Sequence, residues 1–227
     1  MADSPKIFPL GDNCVTIDFG NEISADLNTK AISLASYFES NPFPGFTEAV
    51  PAYSSVAVFY HLVEVRKNFP EYESAFDAVA DIVRNAVAQP HNAKDIKRQL
   101  VEIPVDFSDG AALDLNVVAE FAGISPDEVI KRFLARSYRV YMLGFLPGFA
   151  YMGEVDEIIA APRKDSPRIK VPKGSVGIAS RQTGIYPLES PGGWQIIGRT
   201  TAEMFSADRD PPCLLSPGDD VRFIRIS

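Results

Sequence analysis

The sequence has few of the side chains that bind metals or form disulfide bonds. Its 227 residues include two histidines, His61 and His91, and two cysteines, Cys14 and Cys213. Metal sites usually combine histidine, cysteine and carboxylate side chains at short spacings, and these residues lie in no such group. Two isolated cysteines do not form the framework of a disulfide-rich domain. Because no histidine follows residue 91, a Ser-His-Asp triad confined to the C-terminal region is excluded.

A long apolar run and an excess of positive charge are also missing. No apolar run reaches the ~20 residues that span a bilayer, and the amino terminus lacks the basic and apolar segments of a signal peptide. The formal net charge is −8, whereas nucleic-acid binding requires a basic face. We therefore expect a cytoplasmic protein with neither a membrane nor a nucleic-acid partner.

The first ninety residues predict a small α+β domain of the order ββαββα. Alternating apolar residues indicate strands at 7–10, 14–19, 47–50 and 56–60. Ser24 is a suitable N-cap for a first amphipathic helix, and a second helix carries apolar residues from Tyr72 to Ala86. Two helices on one face of a four-stranded antiparallel sheet would bury these apolar positions.

The polar segment 89–97 predicts a domain boundary, which gives domains 1–90 and 91–227. A strand is expected at 100–107, followed by a short helix that Asp114 caps and that ends at Gly123. Ser125-Pro-Asp-Glu128 has the pattern of a capping box and predicts a helix to about residue 135. From residue 138 onward, short strands alternate with turns, which predicts a closed β-barrel and places the chain in the α+β class.

The segment 138–200 combines glycine, proline, aromatic and basic residues at high density. One interpretation is a barrel that needs many tight turns. The other is a binding surface, because such residues form rigid loops whose backbone can approach a ligand closely. The basic residues within these loops favour the second interpretation.

Four phrases in the C-terminal half resemble a known family. They are GFLPGFAYMG (144–153), PRIKVPKGSVGIAS (167–180), QTGIYPLESPGGWQIIGRT (182–200) and LLSPGDDVRF (214–223). These phrases resemble the KipI/PxpB family, also called allophanate hydrolase subunit 1. The likeness includes Asp12 and segments 50–53 and 102–105, so it covers essentially the whole chain.

The resemblance implies a cyclophilin-like barrel and the role of the B subunit in a bacterial ATP-dependent 5-oxoprolinase. Such a subunit would act with a C subunit, similar to allophanate hydrolase subunit 2, and with an A subunit that opens the ring. The B and C subunits together would use ATP, with Mg, to activate 5-oxoproline by phosphorylation, and the nucleotide would bind mainly at the interface with the C subunit or on it. We expect the chain to be inactive alone.

Two sets of residues are candidates for this chemistry. Lys173-Gly174-Ser175 lacks the order of a Walker A loop. If the chain binds a phosphoryl group, it must therefore do so through backbone amides of the glycine-rich loops and through basic side chains. An amide, a phenol and an indole could hold a planar lactam or urea-like substrate. The substrate and phosphate candidates are Arg168, Lys170, Lys173, Gln182, Tyr186, Gly192, Gly193, Trp194 and Arg199. The candidates for a partner surface or a pocket rim are Phe145, Pro147, Gly148, Phe149 and Tyr151.

The resemblance also leaves other functions open. Relatives include an inhibitor of sensor histidine kinases, for which the partner would be a kinase, and a urea-carboxylase or allophanate-hydrolase half-site that needs a biotin carrier. A prolyl isomerase activity would be inferred only from the cyclophilin-like fold, and a fold does not determine function. Many relatives have a histidine where this chain has Phe133, so the catalytic acid–base residues are unassigned.

Overall fold

The computed structural model describes residues 4–89 and 98–226. The chain divides into two compact units, Met1–Lys97 and Arg98–Ser227, and each unit has its own hydrophobic core. The boundary predicted after residue 90 lies outside the described residues. Within the described part of the chain, no helix combines the length and hydropathy that a transmembrane span requires.

The first unit is a four-stranded antiparallel sheet in the order β1-β2-β4-β3, covered by helices. Val15 pairs with Val58 and Ile17 with Val56, so these buried side chains share one sheet face and pack against the helices. The elements are β1 (Lys6–Pro9), β2 (Cys14–Asp18), α1 (Ala25–Ser40), β3 (Phe46–Pro51), β4 (Ser55–Tyr60), α2 (Leu62–Asn68) and α3 (Ala75–Val87).

The helices of this unit differ from the prediction in two respects. The sequence predicted ββαββα, but α2 adds a helix, and the order is ββαββαα. His61 caps α2, with its Nδ1 accepting a hydrogen bond from the Glu64 N–H over 3.4 Å. Tyr72 lies before α3, which begins after the N-cap Ser74. The predicted N-cap of α1, Ser24, is confirmed.

The second unit is a closed seven-stranded barrel with two helices, which confirms the predicted α+β class. The strand order around the barrel is β10-β7-β6-β13-β5-β12-β9, and β9 pairs with β10 to close it. A separate two-stranded sheet joins β8 to β11. The elements are β5 (Leu100–Asp106), α4 (Leu115–Ala122), α5 (Pro126–Leu134), β6 (Ser137–Leu143), β7 (Ala150–Gly153), β8 (Arg168–Val171), β9 (Ser175–Ala179), β10 (Gln182–Ile185), β11 (Ser190–Gly192), β12 (Gln195–Arg199) and β13 (Asp220–Ile226), with a short 3-10 helix at Glu157–Ile159.

The first and last strands of the barrel are neighbours in space. β5 and β13 pair in parallel from Leu100↔Asp220 to Asp106↔Ile226, and β13 also pairs with β6. Parallel pairing requires a long connection between the two strands, and here the rest of the barrel supplies it.

Phe133 belongs to the core of this unit rather than to a surface site. It is fully buried, and its ring stacks on Phe223 at 4.9 Å between centroids and lies 5.0 Å from that of Tyr138. Its position on α5 is therefore a packing position in this chain. Desolvation raises the pKa of Tyr138 well above its usual value, and its hydroxyl donates to the Phe133 carbonyl over 2.7 Å.

Candidate functional site

Five aromatic side chains pack together outside the barrel core, and we call them the aromatic cluster: Phe145, Phe149, Tyr151, Tyr186 and Trp194. Phe149 is at its centre. Its ring centroid lies 4.8 Å from that of Tyr151, 5.3 Å from Tyr186 and 5.5 Å from both Phe145 and Trp194. Most of these contacts are edge-to-face, the arrangement that the ring quadrupoles favour. The cluster therefore joins residues that are up to 49 positions apart in sequence.

Strand alternation explains why the cluster lies on the outer face of the barrel. Ile178 and Ile185 point into the barrel core, whereas Ala179 and Tyr186, which follow them, belong to the separate outer cluster. The Gln195↔Ile178 pairing places Trp194 beside Ala179. The aromatic rings therefore lie over the outer faces of β7, β10 and β9.

Two glycines let the rings lie directly on the strands. A Cβ at Gly177 would be 3.0 Å from the Trp194 Cβ, and a Cβ at Gly184 would be 2.9 Å from the Phe149 Cζ. Any larger residue at these positions would displace a ring. Gly192 similarly lies against the Tyr186 ring. The glycines that the sequence showed in this segment thus serve close packing of side chains as well as turns.

Gln182 lies on the same outer face as Tyr186 and Trp194. It pairs with Ala179 on one side and with Gly153 on the other, and directly opposed residues of antiparallel strands point to the same face. The structure thus brings the predicted amide, phenol and indole to one face of the sheet, where Gln182 is half-buried and Tyr186 and Trp194 are buried in the aromatic cluster. Their role in substrate binding stays a prediction.

Asp114 organises the basic segment 163–173, and its role was not predicted. Arg168 donates from Nη1 to Oδ2 and from Nη2 to Oδ1 of Asp114, both over 2.7 Å. The Lys164 Nζ lies 3.1 Å from Oδ1, and the Ile196 N–H donates to Oδ2 over 2.8 Å. Asp114 occupies the N-cap position of α4, but its side chain makes no capping hydrogen bond. The predicted N-cap position is therefore confirmed, but the carboxylate makes tertiary contacts instead of a capping hydrogen bond.

This carboxylate is almost completely buried, with 2% of the residue exposed. Burial alone would raise the pKa of Asp114, but the hydrogen bonds from Arg168, from the Ile196 N–H and from Lys164 lower it below its usual value. The same contact raises the pKa of Arg168. Asp114 is thus an ionised, paired carboxylate that fixes two of the five cations in the segment.

The predicted phosphate-binding cations occupy three places. Arg168 is paired with Asp114, and Lys170 is paired with Glu189 at 3.1 Å on an exposed surface. Lys173 and Arg199 are adjacent, because the Arg199 Nε donates to the Lys173 carbonyl over 3.0 Å. The neighbouring Gly174, at φ +82°, donates its N–H to the Tyr186 carbonyl over 2.7 Å. The Lys173–Arg199 pair therefore lies next to the backbone of the aromatic cluster.

The two candidate glycines contact the basic segment. Gly192 pairs with Arg168 in the β8–β11 sheet, and the Gly193 carbonyl accepts a hydrogen bond from the Lys164 N–H over 2.8 Å. Arg163 lies over the ring of Trp194 and was not among the predicted site residues. The signal that could have indicated it is its position in a strongly basic stretch of an acidic chain.

The predicted rim residues form a tight loop between β6 and β7. Phe145 has φ +67° and is 59% exposed, and Pro147 is also exposed. Gly148 has φ +80°, and a Cβ there would be 2.8 Å from the Met204 carbonyl oxygen. Phe149 is buried and Tyr151 half-buried. The loop thus presents one exposed ring, Phe145, at the edge of the cluster.

Both phenols of the cluster are held in their neutral form. Burial raises the pKa of Tyr151 and of Tyr186, although a backbone hydrogen bond with Trp194 and the charges of Arg163 and Arg168 oppose the shift of Tyr186. Neutral phenols can donate and accept hydrogen bonds. Within residues 4–89 and 98–226, no group of three or more His, Cys, Asp or Glu side chains is placed to hold a metal ion.

Comparison with known proteins identifies the family. Residues 5–215 match the model of the carboxyltransferase domain, subdomain C and D. The chain is 45% identical over 223 residues to the B subunit of 5-oxoprolinase from Bacillus subtilis, covering 98% of this chain and 93% of the relative. It is 40% identical over 219 residues to the B subunit of 5-oxoprolinase from Escherichia coli O157:H7, covering 96% and 95%.

A solved structure has a similar fold and a related sequence. The crystal structure of TTHA0988 matches with a TM-score of 0.80 and 34% identity over 94% of this chain. The chain spans only 40% of the length of TTHA0988. The family resemblance predicted from the sequence is confirmed. The chain therefore belongs to the family of the carboxyltransferase domain, subdomain C and D, and is related over nearly its whole length to proteins named as B subunits of 5-oxoprolinase.

Proposed function

We propose that this chain is the B subunit of an ATP-dependent 5-oxoprolinase. The observation that carries the proposal is the 45% identity to the B subunit of the Bacillus subtilis 5-oxoprolinase over 98% of this chain and 93% of that protein. The proposed partners are a C subunit that completes the activating site and an A subunit that opens the ring to glutamate. The complex uses ATP and works in the cytoplasm.

The outer face of the barrel is the proposed site for the lactam. 5-Oxoproline is a small planar amide. Such a ring can pack on the aromatic cluster beside Trp194 and Tyr186, which are themselves largely buried, while Gln182 hydrogen-bonds its amide group. ATP, bound with Mg, supplies the phosphoryl group that activates the lactam oxygen. Cations near the transferring group stabilise its developing charge. Lys173 and Arg199 lie at the Ser175 end of β9, whereas Gln182 pairs with Ala179 at the other end, so these two cations are proposed to contact the nucleotide phosphates rather than the lactam.

Arg168 and Lys170 have different proposed roles from those that the sequence suggested. Arg168 already neutralises the buried Asp114, and Lys170 already faces Glu189. Arg168 therefore holds the loops that carry Gly192 and Trp194 rather than contacting a phosphate. With these cations engaged, the nucleotide binds mainly at the interface with the C subunit or on it.

Reconstitution tests the proposal. The purified chain alone should not convert 5-oxoproline, whereas the chain mixed with its C and A subunits should form glutamate in an ATP-dependent reaction. Glutamate and ADP would be quantified in the same samples, with each pair of subunits as controls. Efficient turnover by the single chain, or no turnover by the three subunits together, would contradict the proposal.

The family description supports a second candidate, a half-site that transfers a carboxyl group from carboxybiotin. The matched model is that of a carboxyltransferase domain. Such a complex would need a biotin carrier and a biotin carboxylase that loads the carrier with a carboxyl group, so carboxylation of urea by the reconstituted complex in the presence of a carboxybiotin carrier would favour it. ATP-dependent glutamate formation without biotin would favour the 5-oxoprolinase.

A further inference from the structure

Arg163 is held opposite Trp194 by contacts on both sides. The Pro162 carbonyl accepts a hydrogen bond from the Gln195 Nε2 over 3.0 Å, and the Lys164 N–H donates to the Gly193 carbonyl over 2.8 Å. Pro162, which precedes Arg163, is thus hydrogen-bonded to Gln195, which follows Trp194. Lys164, which follows Arg163, is hydrogen-bonded to Gly193, which precedes Trp194. The Arg163 guanidinium carbon lies 5.9 Å from the centroid of the Trp194 ring. Its position is therefore set by the fold before any ligand binds.

The charge of Arg163 is not neutralised in the way that its neighbours' charges are. Lys164 and Arg168 share Asp114, and Lys170 is paired with Glu189. Arg163 is exposed and forms no ion pair with any carboxylate of the described residues. Its planar guanidinium presents N–H donors in a geometry that matches a carboxylate.

The surface beside Arg163 suits the rest of a small ligand. Trp194 lies next to Ala179 on the outer face, and Gln182 pairs with Ala179 from the other side. Two strand spacings therefore separate Gln182 from Trp194, which is about 10 Å. This distance allows a guanidinium and an amide side chain to contact opposite ends of one small molecule.

We propose that Arg163, supported by the ring of Trp194, binds the carboxylate of a small acid whose planar amide end is held by Gln182 and the aromatic cluster. The identity of the acid rests on the proposed function, under which it is 5-oxoproline. The guanidinium forms charge-assisted hydrogen bonds with the carboxylate, and the indole supports the guanidinium through a cation–π contact.

Trp194 is the only tryptophan of the chain, so its fluorescence reports this site directly. The full chain would be titrated with 5-oxoproline, with 2-pyrrolidone, which is the same lactam without the carboxylate, and with inorganic phosphate. We expect saturable binding of 5-oxoproline. Because 2-pyrrolidone lacks the charged group, it should bind at least about tenfold more weakly. Inorganic phosphate should not bind at the concentrations at which 5-oxoproline binds, and it should not displace 5-oxoproline.

Variants separate Arg163 from the general charge of the surface. Arg163→Gln should weaken 5-oxoproline binding by about 10- to 100-fold and leave 2-pyrrolidone binding unchanged, and Arg163→Lys should lie between. Arg222→Gln is the matched control, because Arg222 is a half-exposed arginine of β13, three strands from β10 in the barrel order. It should bind like the wild type. Circular dichroism would verify that every variant is folded.

The results that would overturn the proposal are specific. They are wild-type binding of 5-oxoproline by Arg163→Gln, equal binding of 5-oxoproline and 2-pyrrolidone, or no binding of 5-oxoproline by the wild type. If the chain binds phosphate through Arg163 but does not bind 5-oxoproline, the proposal is wrong, and the site around Arg163 binds a phosphoryl group rather than a carboxylate. Because binding is measured without partners, 5-oxoproline binding without turnover by the reconstituted complex would contradict only the proposed function. If the reconstituted complex that contains Arg163→Gln turns over 5-oxoproline with an unchanged KM for 5-oxoproline, only the role of Arg163 is contradicted.

Discussion

Replacing Arg168 with alanine removes the main partner of a buried carboxylate. Arg168 donates to both oxygens of Asp114 over 2.7 Å, and Asp114 is 2% exposed. After the replacement, the carboxylate keeps Lys164 at 3.1 Å and the Ile196 N–H at 2.8 Å. Breaking a buried ion pair by removing one partner costs about 3–5 kcal/mol. Because two donors remain, we expect the lower end of that range, about 3 kcal/mol.

Urea unfolding followed by Trp194 fluorescence measures this loss, because the single tryptophan reports the second unit. Arg168→Lys should show an intermediate loss, since a lysine keeps the charge but not the two-donor geometry. Lys170→Ala is the matched control. The Lys170–Glu189 pair is exposed, so its removal should cost less than about 1 kcal/mol. Equal free energies of unfolding for Arg168→Ala and Lys170→Ala would refute the structural role of Arg168.

Two further predictions concern the same unit. The folded-state pKa of Asp114 is lowered, so its contribution to stability is present above the unfolded pKa of about 3.9 and is lost as the pH falls through the folded pKa. The difference in unfolding free energy between wild type and Asp114→Asn, from urea titrations at several pH values, should therefore shrink in acid; a constant difference would contradict this. Gly184→Ala places a Cβ 2.9 Å from the Phe149 Cζ and should cost about 1–3 kcal/mol and change Trp194 emission. Gly110→Ala, where a Cβ meets no heavy atom within 4 Å, should change neither quantity, and the same effect from both substitutions would contradict the packing argument.

Local sequence signals predicted most helices and strands because their causes are local. The N-cap Ser125 accepts a hydrogen bond from the Glu128 N–H over 3.2 Å, as the capping-box spacing indicated, and α4 ends at Gly123 in the left-handed conformation. Helix α2 was missed because it is short and its cap, His61, is not among the preferred N-cap residues. The error at Tyr72 arose because apolar spacing continued before the true start of α3.

The contacts that form the candidate site could not be predicted in this way. Asp114 and Arg168 are 54 positions apart, and nothing in the local sequence of either residue indicates the other. Arg163 meets Trp194 only because loop 162–164 runs beside residues 193–195. The sequence indicated which residue types were available in 138–200, but the pairing of charges depends on the closed barrel.

The parallel pairing of β5 with β13 has a consequence for the order in which the second unit can form. The last strand in sequence lies between β5 and β6, so ribosomal synthesis delivers every other barrel strand before this gap can be filled. Until β13 emerges, the edges of β5 and β6 that pair with β13 in the complete barrel have no hydrogen-bonding partner. Phe133 also lacks the Phe223 ring on which it stacks. Such long-range pairing slows folding. An incomplete barrel also exposes apolar surface and strand edges, which makes the nascent chain prone to aggregation until the final strand is in place.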